Sequence, residues 1–312
     1  MTGLELSRSY WIDVVEPALV RGAPGLAERT AAGLVGPGSE CLGLDDAVSR
    51  DHDWGPRVCL WVPGDMDRRD VDRLWELYRG LDPTHRGFGP VRRLEHPFPR
   101  DGVIPIGAFY RAYLGTDREP LELRDWLLMP ETGLALCTSG EVFRDDLGLF
   151  SAMRDRLSGY YPEDVRLKKI AARCRAAGRH GQYDLPRAQA RDDLLAVHHH
   201  RDRFVSEAAS LVFHAERRYR PHGKWMFRML DDLASFGRRI HTALEGVVGA
   251  GTDSELNTAI ERAAEALLEG LGAAGVIQRG SRTESFLGAY AEDIESGIED
   301  EDLRRLSDSA LV

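Results

Sequence analysis

The sequence has few cysteines, no long apolar run and no segment with the features of a leader peptide. Its four cysteines, Cys41, Cys59, Cys137 and Cys174, lack CxxC spacing, so reduced buried thiols are predicted rather than disulfides or a zinc site. No run of about 18 apolar residues is present, which excludes a transmembrane helix. The start, MTGLELSRSYWIDVVEP, has no basic region followed by an apolar one. We therefore expect a cytoplasmic protein with no membrane partner.

The charge is acidic overall and unevenly distributed. Among 312 residues, 43% are hydrophobic and the formal net charge is −10, so the chain has material for a sizeable core. The stretch 161–242 is basic, whereas the chain beyond residue 250 is acidic. The basic stretch is interpreted either as solvated helix faces or as a surface facing a polyphosphate. No long basic stripe with interleaved aromatics is present, so nucleic acid is not an expected partner.

The hydrophobic patterning changes character near residue 147. Before it, short apolar segments predict strands at 31–35, 57–62 and 103–106, with a hairpin or strand pair at 134–143. After it, long helical patterns dominate, including 186–219 and 223–247. The predicted fold class is α+β. A small mixed-sheet α/β domain would span residues 1–146, and an α-helical bundle domain with an acidic C-terminal tail would span 147–312.

Two aspartates lie one residue apart, directly before an apolar segment. In a strand, Asp51 and Asp53 would project from the same face. Two carboxylates that close repel each other unless a cation lies between them. Mg²⁺ fits, because it prefers oxygen ligands and is commonly held by one or two carboxylates together with substrate phosphates. The motif therefore predicts a magnesium site at Asp51 and Asp53, with a charged strand end as the alternative.

A Gly-Ser pair follows the first predicted strand. Gly38 allows close backbone approach, and a turn that opens a short helix exposes N–H groups to phosphate oxygens. The Ser39 hydroxyl adds a donor. Gly38 and Ser39 are accordingly predicted to bind nucleotide phosphates, with a solvated turn as the alternative. Arg50 is a further candidate phosphate contact.

The order apolar strand, Gly-Ser, Asp-x-Asp, apolar strand resembles the nucleotidyltransferase superfamily that includes DNA polymerase beta and the antibiotic nucleotidyltransferases. The resemblance implies that Gly38 and Ser39 contact the phosphates of a nucleoside triphosphate, and that Asp51 and Asp53 hold two Mg²⁺ ions. The segments GSECLGLDDAVSRDHDWGP, RDWLLMPETGLALCTSGEVFRDDLG, YYPEDV and YRPHGKW are also similar to a bacterial family with a domain of unknown function. That family carries such a core followed by a helical domain.

The superfamily usually supplies a third carboxylate from a neighbouring strand. Here the corresponding segment, VIPI, contains no acid, and the nearest candidates are Glu95 and Asp101. In the antibiotic-modifying relatives, a helical domain can supply a glutamate base and cations for the triphosphate. By resemblance, Glu207 is the candidate base and Lys224 the candidate phosphate partner. Glu207 lies within FVSEAASLVF, where a carboxylate is expected to have a raised pKa; the alternative is a glutamate on the solvated edge of that helix.

The run His198–His200 is not predicted to bind metal. Consecutive helical residues point about 100° apart, so they do not easily share one ion.

We expect a metal-dependent nucleotidyltransferase that moves a nucleoside monophosphate from a nucleoside triphosphate to the hydroxyl of a small-molecule or protein acceptor, releasing pyrophosphate. The missing acid on VIPI motivates one alternative, a non-catalytic nucleotide-binding sensor. The other is an antitoxin-like protein-interaction module.

Overall fold

The computed structural model describes residues 1–92, 98–233, 236–278 and 285–308, and it divides into two compact units. Unit 1 comprises Met1–Glu119 and Met129–Gly159, and unit 2 comprises Pro120–Leu128 and Tyr160–Val312. By its contacts, unit 1 therefore continues past residue 146, where the sequence analysis placed the boundary. The α+β class is confirmed, because a mixed sheet is accompanied by many helices.

Four short strands in the described residues form one sheet in unit 1. They are β1 (Ala31–Leu34), β2 (Cys59–Val62), β3 (Gly102–Pro105) and β4 (Glu141–Arg144), in the order β3-β2-β1-β4. The strand β1 is antiparallel to β2 and β4, and β2 is parallel to β3. Cys59 pairs with Gly33 and with Gly102, while Leu34 pairs with Glu141. The end of β1 and the starts of the other strands therefore lie together, at what we call the polar end of the sheet.

Of the first eight α-helices, three precede β1 and the others separate or follow the strands, and all except α6 belong to unit 1. They are α1 (Gly3–Tyr10), α2 (Glu16–Gly22), α3 (Pro24–Ala27), α4 (Arg68–Arg79), α5 (Ile106–Leu114), α6 (Leu123–Leu128), α7 (Glu131–Thr138) and α8 (Leu149–Ser158). A π-helical segment, Trp11–Val15, joins α1 to α2. A capping box at Thr2 and Glu5 satisfies N–H groups at the start of α1.

Both faces of the sheet are covered, which explains why β2 is apolar throughout. Alternate residues of a strand point to opposite faces. Leu60 and Val62 belong to the core that also holds buried side chains of α2 and α4. Trp61 points the other way, stacks on Phe150 of α8 with ring centroids 3.8 Å apart, and meets Phe109 of α5 edge-on. A strand buried on both faces reads as a continuous hydrophobic run.

Unit 2 consists of helices around one apolar core. Besides α6, they are α9 (Glu163–Ala177), α10 (Leu185–Gln189), α11 (Leu194–Ala215), α12 (Gly223–Leu230), α13 (Gly237–Gly249), α14 (Asp253–Ala273), α15 (Tyr290–Glu295) and α16 (Glu301–Arg305), with a π-helical segment, Gly178–Asp184, between α9 and α10. The helix α11 packs against α9, and α13 packs against α14. Across the described part of the chain, no helix combines the length and apolar character that crossing a bilayer demands.

Three local predictions from the sequence are wrong. The stretch 186–219 is not one helix, because Asp192 has a φ of 52° and Asp193 caps a new helix by accepting a hydrogen bond from the Ala196 N–H. The stretch 223–247 likewise contains two helices, α12 and α13. The predicted hairpin at 134–143 is instead the helix α7 followed by β4.

All four cysteines are buried free thiols, as predicted. Burial is the largest influence on their acidity. It raises the pKa of Cys59 in unit 1 and of Cys174 in unit 2 to about 12. Both groups therefore stay protonated near neutral pH and behave as small apolar side chains.

A glycine is required where α7 turns into β4. Gly140 has a φ of 68°, and a Cβ there would lie 2.0 Å from the carbonyl oxygen of Leu34. We expect Gly140→Ala to lower the free energy of unfolding by about 2–3 kcal/mol, since left-handed strain alone costs about 1–2 kcal/mol and the clash adds to it. Gly148→Ala is the matched control, with a φ of 66° and nothing within 4 Å of the new Cβ. Equal losses in urea titrations of the two variants would contradict the close approach.

Candidate functional site

Three chain segments that the sequence analysis singled out converge at the polar end of the sheet. The Gly-Ser turn follows β1, the Asp-x-Asp segment precedes β2, and Asp101 directly precedes β3. The register of β1, β2 and β3 brings these segments to the same end, although Asp101 is far from Gly38 in sequence.

Asp51 and Asp53 do not lie on a strand, so the predicted common strand face is wrong. A short 3₁₀ helix, Val48–Arg50, ends just before them, and β2 begins only at Cys59. Asp53 has a φ of 51°, a left-handed conformation that aspartate tolerates better than most residues but that no strand contains. Gly55 and Pro56 lie between Asp53 and the first residue of β2. The two carboxylates consequently occupy different environments.

Asp51 faces solvent. Its side chain is 63% exposed, and its Oδ1 lies 2.7 Å from Nδ1 of His52. The hydrogen bond from His52 holds the pKa of Asp51 below its usual value. Its predicted role as a magnesium ligand is untested and stays a prediction.

Asp53 is buried and held by an arginine. Its relative exposure is 9%, and Arg100 Nη1 donates a hydrogen bond of 2.7 Å to its Oδ2. The Asp53 N–H donates to the Arg92 carbonyl at 2.8 Å, which fixes the backbone of this turn to the loop before β3. Asp53, which precedes β2, is thus paired with Arg100, which precedes the neighbouring strand β3.

The Gly-Ser turn is built around a buried carboxylate. Gly38 has a φ of 141°, and a Cβ there would lie 2.6 Å from Glu40 Oε2. Glycine at this position therefore makes room for the Glu40 side chain. Ser39 is buried and immediately precedes the short 3₁₀ helix Glu40–Leu42. Phosphate binding by Gly38 and Ser39 stays a prediction.

Arg57 connects the three segments, and the sequence analysis did not identify it. It is 2% exposed, and its Nη2 donates to the equally buried Glu40. Its Nη1 donates to the Arg100 carbonyl at 2.9 Å. Burial alone would lower the pKa of Arg57, but the Glu40 carboxylate outweighs it and raises the pKa above the ordinary value. The only sequence signal was a charged residue next to a buried strand.

A cavity of about 470 Å³ opens beside these groups within unit 1. Two carboxylates and three guanidinium groups line it, together with aromatic and proline side chains. The charged lining residues are Asp53, Arg57, Arg79, Arg100 and Asp101, and the aromatic ones are Tyr10, Trp75, Tyr78 and Phe98. Neither residue of the Gly-Ser turn is part of this lining, and neither is Asp51. The sequence candidates Asp53 and Asp101 are therefore brought to one cavity.

Asp101 is buried beside a tyrosine. The Tyr78 hydroxyl donates a hydrogen bond of 3.0 Å to Asp101 Oδ2 and accepts one from the Val58 N–H. Burial, followed by the negative charge of Asp101, raises the pKa of Tyr78 well above its usual value. The phenol therefore stays protonated and keeps its hydrogen bond to Asp101 at the cavity wall.

Two further candidates lie in the first half of the chain, and of these Arg50 does not line the cavity. Glu95 lies outside the described residues. Arg50 is exposed, stacks over the Trp54 ring at 4.4 Å and donates to the Met1 carbonyl at 3.1 Å. In the structure Arg50 thus has local partners, and its role in phosphate binding is untested.

The two candidates in unit 2 differ sharply in burial. Lys224 is exposed at the start of α12, with Nζ 4.8 Å from the centroid of the Trp225 ring. Glu207 is 1% exposed on α11. It accepts a hydrogen bond of 2.6 Å from Arg173 and forms an ion pair with Arg203 at 3.0 Å. Glu207 therefore does not lie on a solvated edge of the helix, and its role as a base stays a prediction.

Comparisons with known proteins find limited similarity. Residues 126–226, less than half of the chain, match a family model described as a domain of unknown function, DUF4037. No curated protein matches the chain. Among solved structures, the chain is similar to a nucleotidyltransferase-like protein from Exiguobacterium sibiricum, at 15% identity and a TM-score of 0.38. The match covers 90% of this chain and 88% of that one, so the similarity is extensive in length and low in degree.

Proposed function

We propose that unit 1 transfers a nucleoside monophosphate from a nucleoside triphosphate to a hydroxyl group, with Mg²⁺ and with release of pyrophosphate. The observation that carries the proposal is the cavity at the polar end of the sheet, where Asp53 and Asp101 meet three arginines. Its volume falls within the range of about 300–1,000 Å³ that is usual for small-molecule sites. Of the segments that resemble the superfamily, Asp-x-Asp contributes Asp53 to the cavity, and the Gly-Ser turn is connected to it through the pair of Glu40 with Arg57.

The lining of the cavity suits the parts of a nucleotide. Arg79 and Arg100 supply positive charge for a triphosphate, which guanidinium groups bind through paired N–H donors. Trp75 and Phe98 offer ring faces against which a base can stack. Arg57 forms a buried ion pair with Glu40, so its charge is already balanced and its role at the cavity is structural. Arg100 is also paired, with Asp53, so binding of the triphosphate is assigned first to Arg79, and Arg100 would join it when Mg²⁺ takes the place of Arg100 at Asp53.

The carboxylates fit a magnesium ion shared with substrate. Asp53 and Asp101 both line the cavity, and Mg²⁺ is commonly bound by one or two carboxylates and by phosphate oxygens. When bound, the ion would neutralise phosphate charge and lower the pKa of the acceptor hydroxyl. Asp53 is assigned the principal ligand role. Asp101 complements it as a candidate for the third carboxylate, while Asp51 is placed at the surface.

A nucleotide sensor is the second candidate, and one observation favours it. Asp53 is already neutralised by Arg100. Among the residues that the structure describes, no group of three acidic side chains at the polar end has ligand atoms close enough to hold an ion. A site that binds nucleotide through arginines, without assembling a metal centre, would sense the nucleotide and leave it intact.

The test is pyrophosphate release from each nucleoside triphosphate, with Mg²⁺ and a set of hydroxylated small molecules or cell extract as acceptors. We expect Asp53→Asn to lower the rate by more than about 100-fold, because it removes one fixed charge at the reacting phosphate. Asp65→Asn is the control, since Asp65 pairs with Arg29 on the surface. Asp51→Asn should cause a smaller loss than Asp53→Asn.

The outcomes separate the two candidates. Triphosphate binding by calorimetry without pyrophosphate release from any acceptor would replace transfer by sensing. Absence of both binding and release would overturn both. A rate unchanged by Asp53→Asn, in a variant with unchanged thermal stability, would remove Asp53 from the site.

A further inference from the structure

Three histidines of unit 2 converge although they are not all neighbours in sequence. His180 lies on the π-helical segment Gly178–Asp184, while His199 and His200 lie on α11. One ring nitrogen from each lies within 4.8 Å of the others, and the Nδ1 atoms of His180 and His200 are 2.9 Å apart. We call these three residues the tri-histidine cluster. In the described part of the chain, it is the group of potential ligands that meets the spacing for one metal ion.

The fold creates the cluster by turning the chain back on itself. The π-helical segment and α10 precede α11 and pack against it. Gly181 permits the contact, because a Cβ there would lie 2.3 Å from the ring of Phe204, one turn along α11 from His200. His199 and His200 alone point about 100° apart around their helix. His180 approaches both, with its ring centroid 6.0 Å from that of His199 and 5.2 Å from that of His200.

We propose that His180, His199 and His200 bind a divalent transition-metal ion, of which Zn²⁺ is the representative. Imidazole nitrogen is a preferred ligand of zinc, copper and nickel ions. With Zn–N distances of about 2.0–2.1 Å in a tetrahedron, two ligand nitrogens lie about 3.4 Å apart. The observed separations, from 2.9 Å to within 4.8 Å, bracket that value. Small side-chain rotations would therefore complete the geometry.

Charged groups surround His180, one of the three proposed ligands. Two carboxylates, those of Asp184 and Glu207, are near enough to His180 to act on it electrostatically, and so is the cation of Arg203. The pKa of His180 is lowered, chiefly by burial and then by Arg203 and His200. Carboxylates close to a histidine ligand commonly accept its second N–H and orient the ring.

The proposed ion would join two parts of unit 2 that otherwise meet by packing. His180 belongs to the segment before α10, and the other two ligands belong to α11. Because His199 is exposed, a fourth coordination position would face solvent and hold water. Metal binding would therefore hold the π-helical segment against α11 and raise the thermal midpoint of the protein.

The experiment is calorimetric titration of the full chain, without an affinity tag, with ZnCl₂, together with visible absorption of the Co²⁺ form. We expect one ion per chain, a tetrahedral Co²⁺ spectrum and a higher melting temperature with Zn²⁺. His180→Ala and His199→Ala/His200→Ala should each weaken binding by more than about tenfold. His198→Ala is the matched control, because His198 belongs to the same run but not to the cluster, and it should retain wild-type affinity.

Each other outcome would overturn the assignment. Unchanged affinity in His180→Ala would show that any binding belongs to the exposed run alone. An equal loss in His198→Ala would point to the same conclusion, and no binding by wild type would remove the site altogether. None of these results bears on the magnesium-dependent transfer in unit 1, which is assayed separately.

Discussion

Arg57→Met is expected to lower the free energy of unfolding by about 3–5 kcal/mol, because it leaves the Glu40 carboxylate buried without its cation. Arg57 and Glu40 are 2% and 3% exposed. A buried ion pair adds little over an apolar pair of equal volume, but breaking one half of it is costly. The same substitution also removes the hydrogen bond to the Arg100 carbonyl. We therefore expect the polar end of the sheet to lose its order first.

Urea unfolding followed by circular dichroism measures this loss. Arg29→Met is the control, since Arg29 pairs with Asp65 on the surface at 3.3 Å, where such pairs contribute about 0–1 kcal/mol. The double variant Glu40→Leu/Arg57→Met should recover part of the stability, because no charge is left unpaired. A loss below about 1 kcal/mol in Arg57→Met would mean that the pair is not buried in solution.

Glu207→Leu is expected to destabilise unit 2 by a comparable amount, about 3–5 kcal/mol. Glu207 is 1% exposed and neutralises Arg173, which is itself buried, as well as Arg203. Removing the carboxylate leaves the Arg173 cation without its partner. Thermal and urea unfolding provide the measurement. Glu301→Leu, which removes an exposed pair with Arg305, should cost less than about 1 kcal/mol.

The same position discriminates between two roles for Glu207. A purely structural carboxylate predicts that Glu207→Gln loses stability while the folded fraction keeps its rate of transfer. A catalytic base predicts the reverse, a lower rate at full stability with a changed pH profile. The two arginine contacts lead us to expect the first result.

The strands β1, β2 and β3 were predictable because their apolar character is local, whereas β4, with the sequence EVFR, has no such run. The predicted segments 31–35 and 57–62 contain all of β1 and β2, and the predicted segment 103–106 contains three of the four residues of β3. The helix break at residues 190–193 was missed because a single cap at Asp193 overrides the continuing apolar pattern. The α+β class depended only on these strong patterns and not on boundaries.

The site was less predictable because its partners are distant in sequence. The spacing of Asp51 and Asp53 suggested a shared strand face, but Asp53 lies in a left-handed turn whose position depends on Arg100 and Arg92. Nothing near Arg57 in the sequence indicates that it pairs with Glu40. Similarly, His180 is separated from His200 by a chain reversal that periodicity does not reveal.

Each unit contains buried thiols, and their alkylation would report local unfolding of that unit. Alkylating reagents attack the thiolate, which burial suppresses in Cys59 and Cys174, so labelling must await exposure of the surrounding chain. Cys174 belongs to unit 2, whereas the other three cysteines belong to unit 1. Mass spectrometry of alkylated peptides would therefore measure, in a single sample, the rate at which the thiols of each unit become exposed. Substitution of Arg57 should accelerate modification at Cys59, and substitution of Glu207 should accelerate it at Cys174.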